Sequence, residues 1–322
     1  MKDINIKVWP ELIGYLPALI PLPKIEEKEN GLYLDFSNCN KINSSGLNIF
    51  LIHLLKYVKF DGVNRGWHSD ELHSLDIIEQ VDKFNFFKIL NLYCPNISLF
   101  NAELAASSSA ILEENLPISS EQMISFPIYM INLKAYTNRR KALEYLKEWL
   151  YNKLETYYLE YDFILPQLAS VITEIAKNSA DHTDDNAFIG LDIVNNNIDS
   201  IKICFSIGDL GVGINQNIKD HLPNNVSESR YKFWDLTQTY REALSRGFTT
   251  KEESKENKGL GMSLILDGAK GIKLILSVFD AKSRGLLNNI TSTTHSDIRK
   301  NFFNTGKDVG FYYYGELIAT KV

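Results

Sequence analysis

The strongest constraint on the fold is a change of hydrophobic period in the second half of the chain. From about Asp162 to Ala180 the apolar residues Leu168, Val171, Ile172 and Ile175 step by three and four, the spacing of one helix face. A second helical pattern, about Thr137 to Tyr158, precedes it, and a strand pattern, Ser125 to Asn132, precedes both. Beyond the helix, Phe188 to Val194 and Ile198 to Ile207 alternate as strands, and Asn195-Asn196-Asn197 between them signals a hairpin. Long helices running into paired strands predict an α/β fold.

The same helix carries chemistry. Glu174, Asn178 and Asp181 step by four and three, so they share a polar face beside the apolar one. A carboxylate and an amide oxygen one turn apart can serve one site. The carboxylate accepts a proton from a hydroxyl or water, and the amide oxygen is a hard ligand suited to magnesium. A solvated helix face accounts for the same three residues taken alone. Directly after the second strand comes Gly208-Asp209-Leu210-Gly211-Val212-Gly213, whose glycines let backbone approach a flat ligand and whose Asp209 can accept from an exocyclic amine. A third block, Gly247-Phe248-Thr249-Thr250-Lys251, leads into a polar run from Glu252 to Lys258 that reads as a closing loop. The fourth, Gly259-Leu260-Gly261-Met262, opens a helix, where exposed N–H groups and the helix dipole favour a phosphate. Lys251, Thr249 and Thr250 are further candidates for phosphate oxygens.

At 322 residues the chain is long enough for two compact domains. The net charge of -6 is spread without a basic block, so nucleic acid and anionic membrane are not indicated as partners. The longest apolar stretch, Leu47 to Val58, holds His53 and Lys56 and is too short to span a bilayer. Cys39, Cys94 and Cys204 form no C-x-x-C pair and read as free thiols, and the charged, proline-rich start does not read as a signal peptide, so a cytoplasmic location is expected. The proline-punctuated segment from Val8 to Pro23 suits an extended arm, packed on its own domain or exchanged in a dimer.

In their order and spacing, the four blocks E-x-x-x-N, D-x-G-x-G, G-F-T-T-K and G-x-G resemble the GHKL superfamily of ATP-binding proteins, over about Phe126 to Val322. That resemblance implies a Bergerat-type sandwich of a mixed sheet packed on helices. It implies Mg2+-ATP as ligand, with Glu174 as general base, Asn178 on magnesium and Asp209 on adenine. Asp181, Gly211, Gly213, Thr249, Thr250, Lys251, Gly259, Leu260, Gly261 and Met262 complete the implied ATP site. Within the superfamily, Asn178-Ser179-Ala180-Asp181 is similar to MutL-like ATPases, while the Asn178 to His182 spacing is similar to anti-sigma serine kinases. No H-E-x-x-x-P phosphoacceptor box stands upstream, which disfavours a histidine autokinase.

In the first half, Gly31 to Phe36 reads as a strand, Ser37 to Ser45 as a loop and Gly46 to Lys59 as a helix with apolar Leu47, Phe50, Leu51, Leu54 and Leu55. Weaker helical patterns follow at Asp70 to Lys83 and Leu104 to Asn115. The stretch from Leu34 to Leu47 is similar to the strand, loop and helix of STAS domains, the fold of anti-anti-sigma factors, with Asn43 where that family usually has aspartate. This resemblance implies Ser45 as a phosphorylation site, whereas a serine capping a core helix explains the same residue. Two α/β domains are therefore expected, a STAS-like regulatory domain over 1–120 and a GHKL domain over 121–322. Three activities fit: a regulatory ATPase that switches domain or dimer contacts, a serine kinase acting on a STAS partner or on Ser45 itself, and a non-hydrolysing ATP-gated module. A protein partner or self-association is expected as well.

Overall fold

A computed structural model describes residues 3–7, 11–14, 26–28, 32–36, 38–60, 67–68, 75–93, 118–119, 123–132, 139–158, 164–183, 186–197, 199–211, 213, 216–218, 227, 231–234, 236–243, 261–280, 285–291, 299–302 and 311–321. Strands β1 (Asp3–Lys7), β2 (Glu11–Leu12), β3 (Glu26–Lys28), β4 (Leu32–Asp35) and β5 (Lys41–Ile42) lead into helix α1 (Ser44–Phe60). Next come β6 (Trp67–His68), α2 (Leu75–Lys83), α3 (Phe86–Tyr93) and β7 (Ile118–Ser119). The second half runs β8 (Met123–Ile131), α4 (Arg139–Tyr158), α5 (Leu165–Thr183), β9 (Ala187–Asn197), β10 (Ser200–Asp209), α6 (Leu236–Ala243) and α7 (Gly261–Gly271). It closes with β11 (Ile275–Asp280), β12 (Gly285–Asn288), β13 (Arg299–Phe302) and β14 (Phe311–Thr320). The fold is α/β, and among the described residues no helix is long and apolar enough to cross a membrane.

The principal sheet has eight strands in the order β13-β12-β11-β14-β10-β9-β8-β7. Each of its strand pairs is antiparallel. The expected mixed sheet is thus corrected: β7 to β10 and β11 to β13 each fold back on the preceding strand except across α4 and α5, and β14 joins the two sets by lying between β11 and β10. Parallel pairing belongs instead to the first half: in the small sheet β3-β1-β4-β6, β4 lies between β1 and β6 and runs parallel to both, and β2 runs parallel to β5. The hairpin turn is also tighter than the triple asparagine suggests. Strand β9 continues through Asn197, which pairs with Ser200, and a bulge at Ser200/Ile201 absorbs the extra residue.

Alternation along the strands decides what each face of the large sheet meets. Ile189, Leu191, Ile193, Ile203, Phe205, Ile207, Tyr313 and Leu317 point to one side and pack with α4, α5 and α7 in one apolar core. The other face is polar at its buried centre, with Ser125, Asp192 and Ser206 all fully enclosed. Helix α1 covers that face across β8, β9 and β10. Its apolar residues form a second core with α2 and α3 that also takes in Ile128, Phe188 and Leu210 from the second half.

Helix α1 is buried on all sides from Ser44 to Leu55. Seven of its apolar side chains, Leu47, Ile49, Phe50, Leu51, Ile52, Leu54 and Leu55, have no exposure at all. At roughly 1.5–3 kcal/mol each this is more than 10 kcal/mol of gross burial, an upper figure but one large enough to make α1 an integral layer on the sheet. The second core therefore draws side chains from both sides of the expected division near residue 120. Part of the arm packs on its own chain as well: Leu12 is fully buried, its carbonyl accepts from Asn43 N at 3.0 Å, and β2 pairs with β5.

The start of α1 is held from two places in the sequence. Asn43 is its cap, with Oδ1 accepting from Gly46 N at 2.8 Å. The two preceding N–H groups, of Ser44 and Ser45, donate to Asp192 Oδ1 and Oδ2 at 2.8 and 2.9 Å. A close approach permits this: a Cβ on Gly190 would lie 2.5 Å from the Ser44 carbonyl oxygen. Farther along, Asn48 Nδ2 donates to Ser206 Oγ at 2.9 Å and also lies within reach of the Phe188 and Ser206 carbonyls. Neither serine is the cap that the sequence suggested, and Ser45 has no exposed surface.

The other expectations divide simply. The strand at 31–36, the helix at 46–59, and the helices at 137–158 and 162–180 match β4, α1, α4 and α5 within a few residues. Pro166 sits in the first turn of α5, where its missing N–H costs nothing. The helical pattern at 70–83 appears as α2, and the one at 104–115 lies outside the described residues.

Candidate functional site

Helix α5 is the spine of the site. Its apolar residues Leu168, Val171, Ile172 and Ile175 are buried against the sheet, which leaves Glu174, Lys177 and Asn178 half-buried along its flank. Helix α7 lies against that flank and runs antiparallel to α5. Gly261 stands opposite Glu174 and Asn178, Gly268 opposite Val171, and Gly271 opposite Gln167. The approach is tight at the start of α7: a Cβ on Gly261 would lie 2.7 Å from Glu174 Oε1 and 3.3 Å from Asn178 Oδ1. The N-terminal end of α7 is thus pressed against a carboxylate and an amide.

Three side-chain contacts tie this junction together. Lys177 Nζ donates to Glu174 Oε1 at 2.9 Å, an ion pair three residues apart on the helix. Asn178 Nδ2 meets Met262 Sδ at 4.0 Å, and the Tyr313 hydroxyl donates to the same sulfur at 3.5 Å. Tyr313 comes from β14, which register places opposite Ile207 near the end of β10.

The end of β10 supplies the next element. Asp209 is buried, and its Oδ1 accepts from Gly211 N at 2.8 Å, which bends the chain sharply after the strand. Burial, and then the negative charge of Asp209, push the Tyr313 phenol above its ordinary value. Gly211 abuts the last residue of α5: a Cβ there would lie 2.5 Å from Thr183 Cγ2. Between them Leu210 turns to the opposite side and joins the core under α1 and α3. Gly213 has φ +83°, a left-handed conformation that suits glycine. The first, second and fourth sequence blocks therefore meet along the last three turns of one helix.

Of the residues expected at the site, Glu174, Asn178, Asp209, Gly211, Gly261 and Met262 are brought together in this way. Asp181 and His182 are helical in α5, and their side chains lie outside the described residues. Thr249, Thr250, Lys251, Gly259 and Leu260 also lie outside them. Ser45 stands elsewhere, fully enclosed under the sheet beside Asp192. A hydroxyl so placed is closed to a kinase, and a phosphate there would face a buried carboxylate.

Sequence reasoning passed over Lys177, Thr183, Tyr313 and Asp192. Lys177 was legible, because a lysine three residues after Glu174 shares its helix face. Tyr313 was not, since only the placement of β14 between β10 and β11 brings it to the site. Among the described residues no three His, Cys, Asp or Glu side chains gather as a metal site. The two described cysteines, Cys39 and Cys204, are buried free thiols, with burial pushing their pKa values up to about 11 and about 12. Comparison of the chain with protein-family models, with curated proteins and with solved structures finds no match in any of the three.

Proposed function

We propose that this chain is an Mg2+-ATP-binding protein of GHKL type that acts as a regulatory ATPase. The observation that carries the reading is the junction of Glu174 and Asn178 on α5 with Gly261 and Met262 at the start of α7. A general base, a hard amide ligand and a helix N-terminus suited to phosphate stand there side by side. Magnesium commonly takes few protein ligands beside phosphate and water, so Asn178 alone is a sufficient protein contribution. Asp209, buried at the far end of α5, is the adenine acceptor of this reading. In hydrolysis Glu174 takes a proton from water as the water oxygen bonds to the terminal phosphorus and the bond to the ADP oxygen breaks.

The first half of the chain is the element that reads the nucleotide state. Its connection to the site is Leu210, which sits between Asp209 and Gly211 yet packs in the core of α1 to α3. The strand, loop and helix from β4 to α1 remain STAS-like in this reading. Enclosure of Ser45 favours the ATPase over a kinase acting on its own Ser45.

Calorimetry with a non-hydrolysable ATP analogue and magnesium tests the proposal. Wild type binds the analogue and Asp209→Asn does not. Undiminished affinity in that variant removes the adenine assignment, and no binding by wild type removes the proposal.

A further inference from the structure

The ionic arrangement around α5 singles out one residue that the four sequence blocks omit. Glu174 and Asp209 bring two carboxylates to the flank and end of α5, where the proposed ligand adds a polyphosphate. A carboxylate beside a polyphosphate requires compensating positive charge. Among the described residues of α5 and α7, the lysines and arginines are Lys177 and Lys270. Lys270 occupies the last turn of α7, at the opposite end of that helix from Gly261. Lys177 stands at the junction itself, with its ammonium 2.9 Å from the Glu174 oxygen that a Cβ on Gly261 would touch.

We propose that Lys177 is the phosphate-reading cation of this site and that Glu174 is its resting partner. The inference rests on the ATP-site reading above. Side-chain exposures of 27% for Lys177 and 20% for Glu174 leave the pair reachable from solvent, so an entering anion can compete for the ammonium. The lysine stem is long and flexible, which lets its charge swing from the carboxylate to a phosphate oxygen without moving the helix. Glu174 is thereby released from its counter-ion when the phosphate arrives at the start of α7. The carboxylate is held in place while the site awaits ligand, and becomes available as a base once ligand is bound.

Calorimetry in the presence of magnesium tests this, with a non-hydrolysable ATP analogue and with adenosine as probes. Lys177→Met is expected to lose about tenfold in affinity for the analogue and to bind adenosine as wild type does, and Lys177→Arg to recover most of the loss. Unchanged analogue affinity in Lys177→Met, an equal loss for both probes, or no recovery with arginine overturns the assignment while leaving the ATP reading in place. If wild type binds neither probe, the ATP reading itself fails and takes this inference with it.

Discussion

Replacing Asp192 by alanine probes the joint between the two halves of the chain. The carboxylate is fully buried and accepts the Ser44 and Ser45 N–H groups at the start of α1. The Ser45 and Ser125 hydroxyls face it too, without hydrogen bonds of good geometry. Alanine leaves two buried backbone donors without acceptors, each costing about 1–3 kcal/mol. Loss of favourable charge at a helix N-terminus adds to this, at about 0.3–1 kcal/mol. Removing a carboxylate that burial disfavours returns part of the loss, so we expect a net destabilisation of about 2–4 kcal/mol. Urea unfolding measures it, as a lower midpoint with an unchanged slope. Amide exchange at Ser44 and Ser45 should accelerate by more than exchange in α5, because the orphaned donors belong to α1. An alanine variant within about 0.5 kcal/mol of wild type, the range of ordinary surface changes, would refute the reasoning.

Three further outcomes are expected. Burial raises the Asp192 pKa in the folded state above its ordinary 3.8, against the pull of the surrounding hydroxyl and N–H donors. The folded state therefore holds this proton longer than the unfolded chain, and the stability it confers is complete below the ordinary value and lost as pH rises through the folded one. Stability measured across a pH series should fall in wild type relative to Asp192→Asn over that window, and a constant or widening advantage for wild type contradicts it. Gly261→Ala should fold with stability within about 1 kcal/mol of wild type, since helix propensity favours alanine and the atoms in the way are side-chain ends, yet lose at least about tenfold in phosphate release by displacing the Glu174 carboxylate. Wild-type turnover in this variant would separate the junction from the chemistry. Glu174→Ala should retain nucleotide binding and lose turnover by about 100-fold or more, so undiminished phosphate release would remove Glu174 as the base.

Much of the second half was legible because its signals are local. The three-and-four spacing of Leu168, Val171, Ile172 and Ile175 specifies a helix face whatever surrounds it, and it places Glu174 and Asn178 on the adjoining flank. Strand alternation from Phe188 to Ile207 likewise depends on near neighbours in the chain. Even the tight corner at Asp209 follows from an aspartate two residues before a glycine.

What needed the tertiary structure was every relation between distant segments. Sequence alone assigned the two halves to separate domains, because α1 looks like an ordinary apolar helix after a strand. Packing shows its apolar surface and its polar start both answered by the large sheet, through Phe188, Ser206 and Asp192. The direction of strand pairing was equally hidden, since β14 enters between β10 and β11 from the end of the chain. Ser45 likewise appeared available at a helix start until a carboxylate some 150 residues away closed over it. Helical and strand periods are set by bonds between near neighbours and so can be read along the chain. Burial, strand order and the partner of a charge depend on which distant surfaces exclude water together, and folding alone decides that.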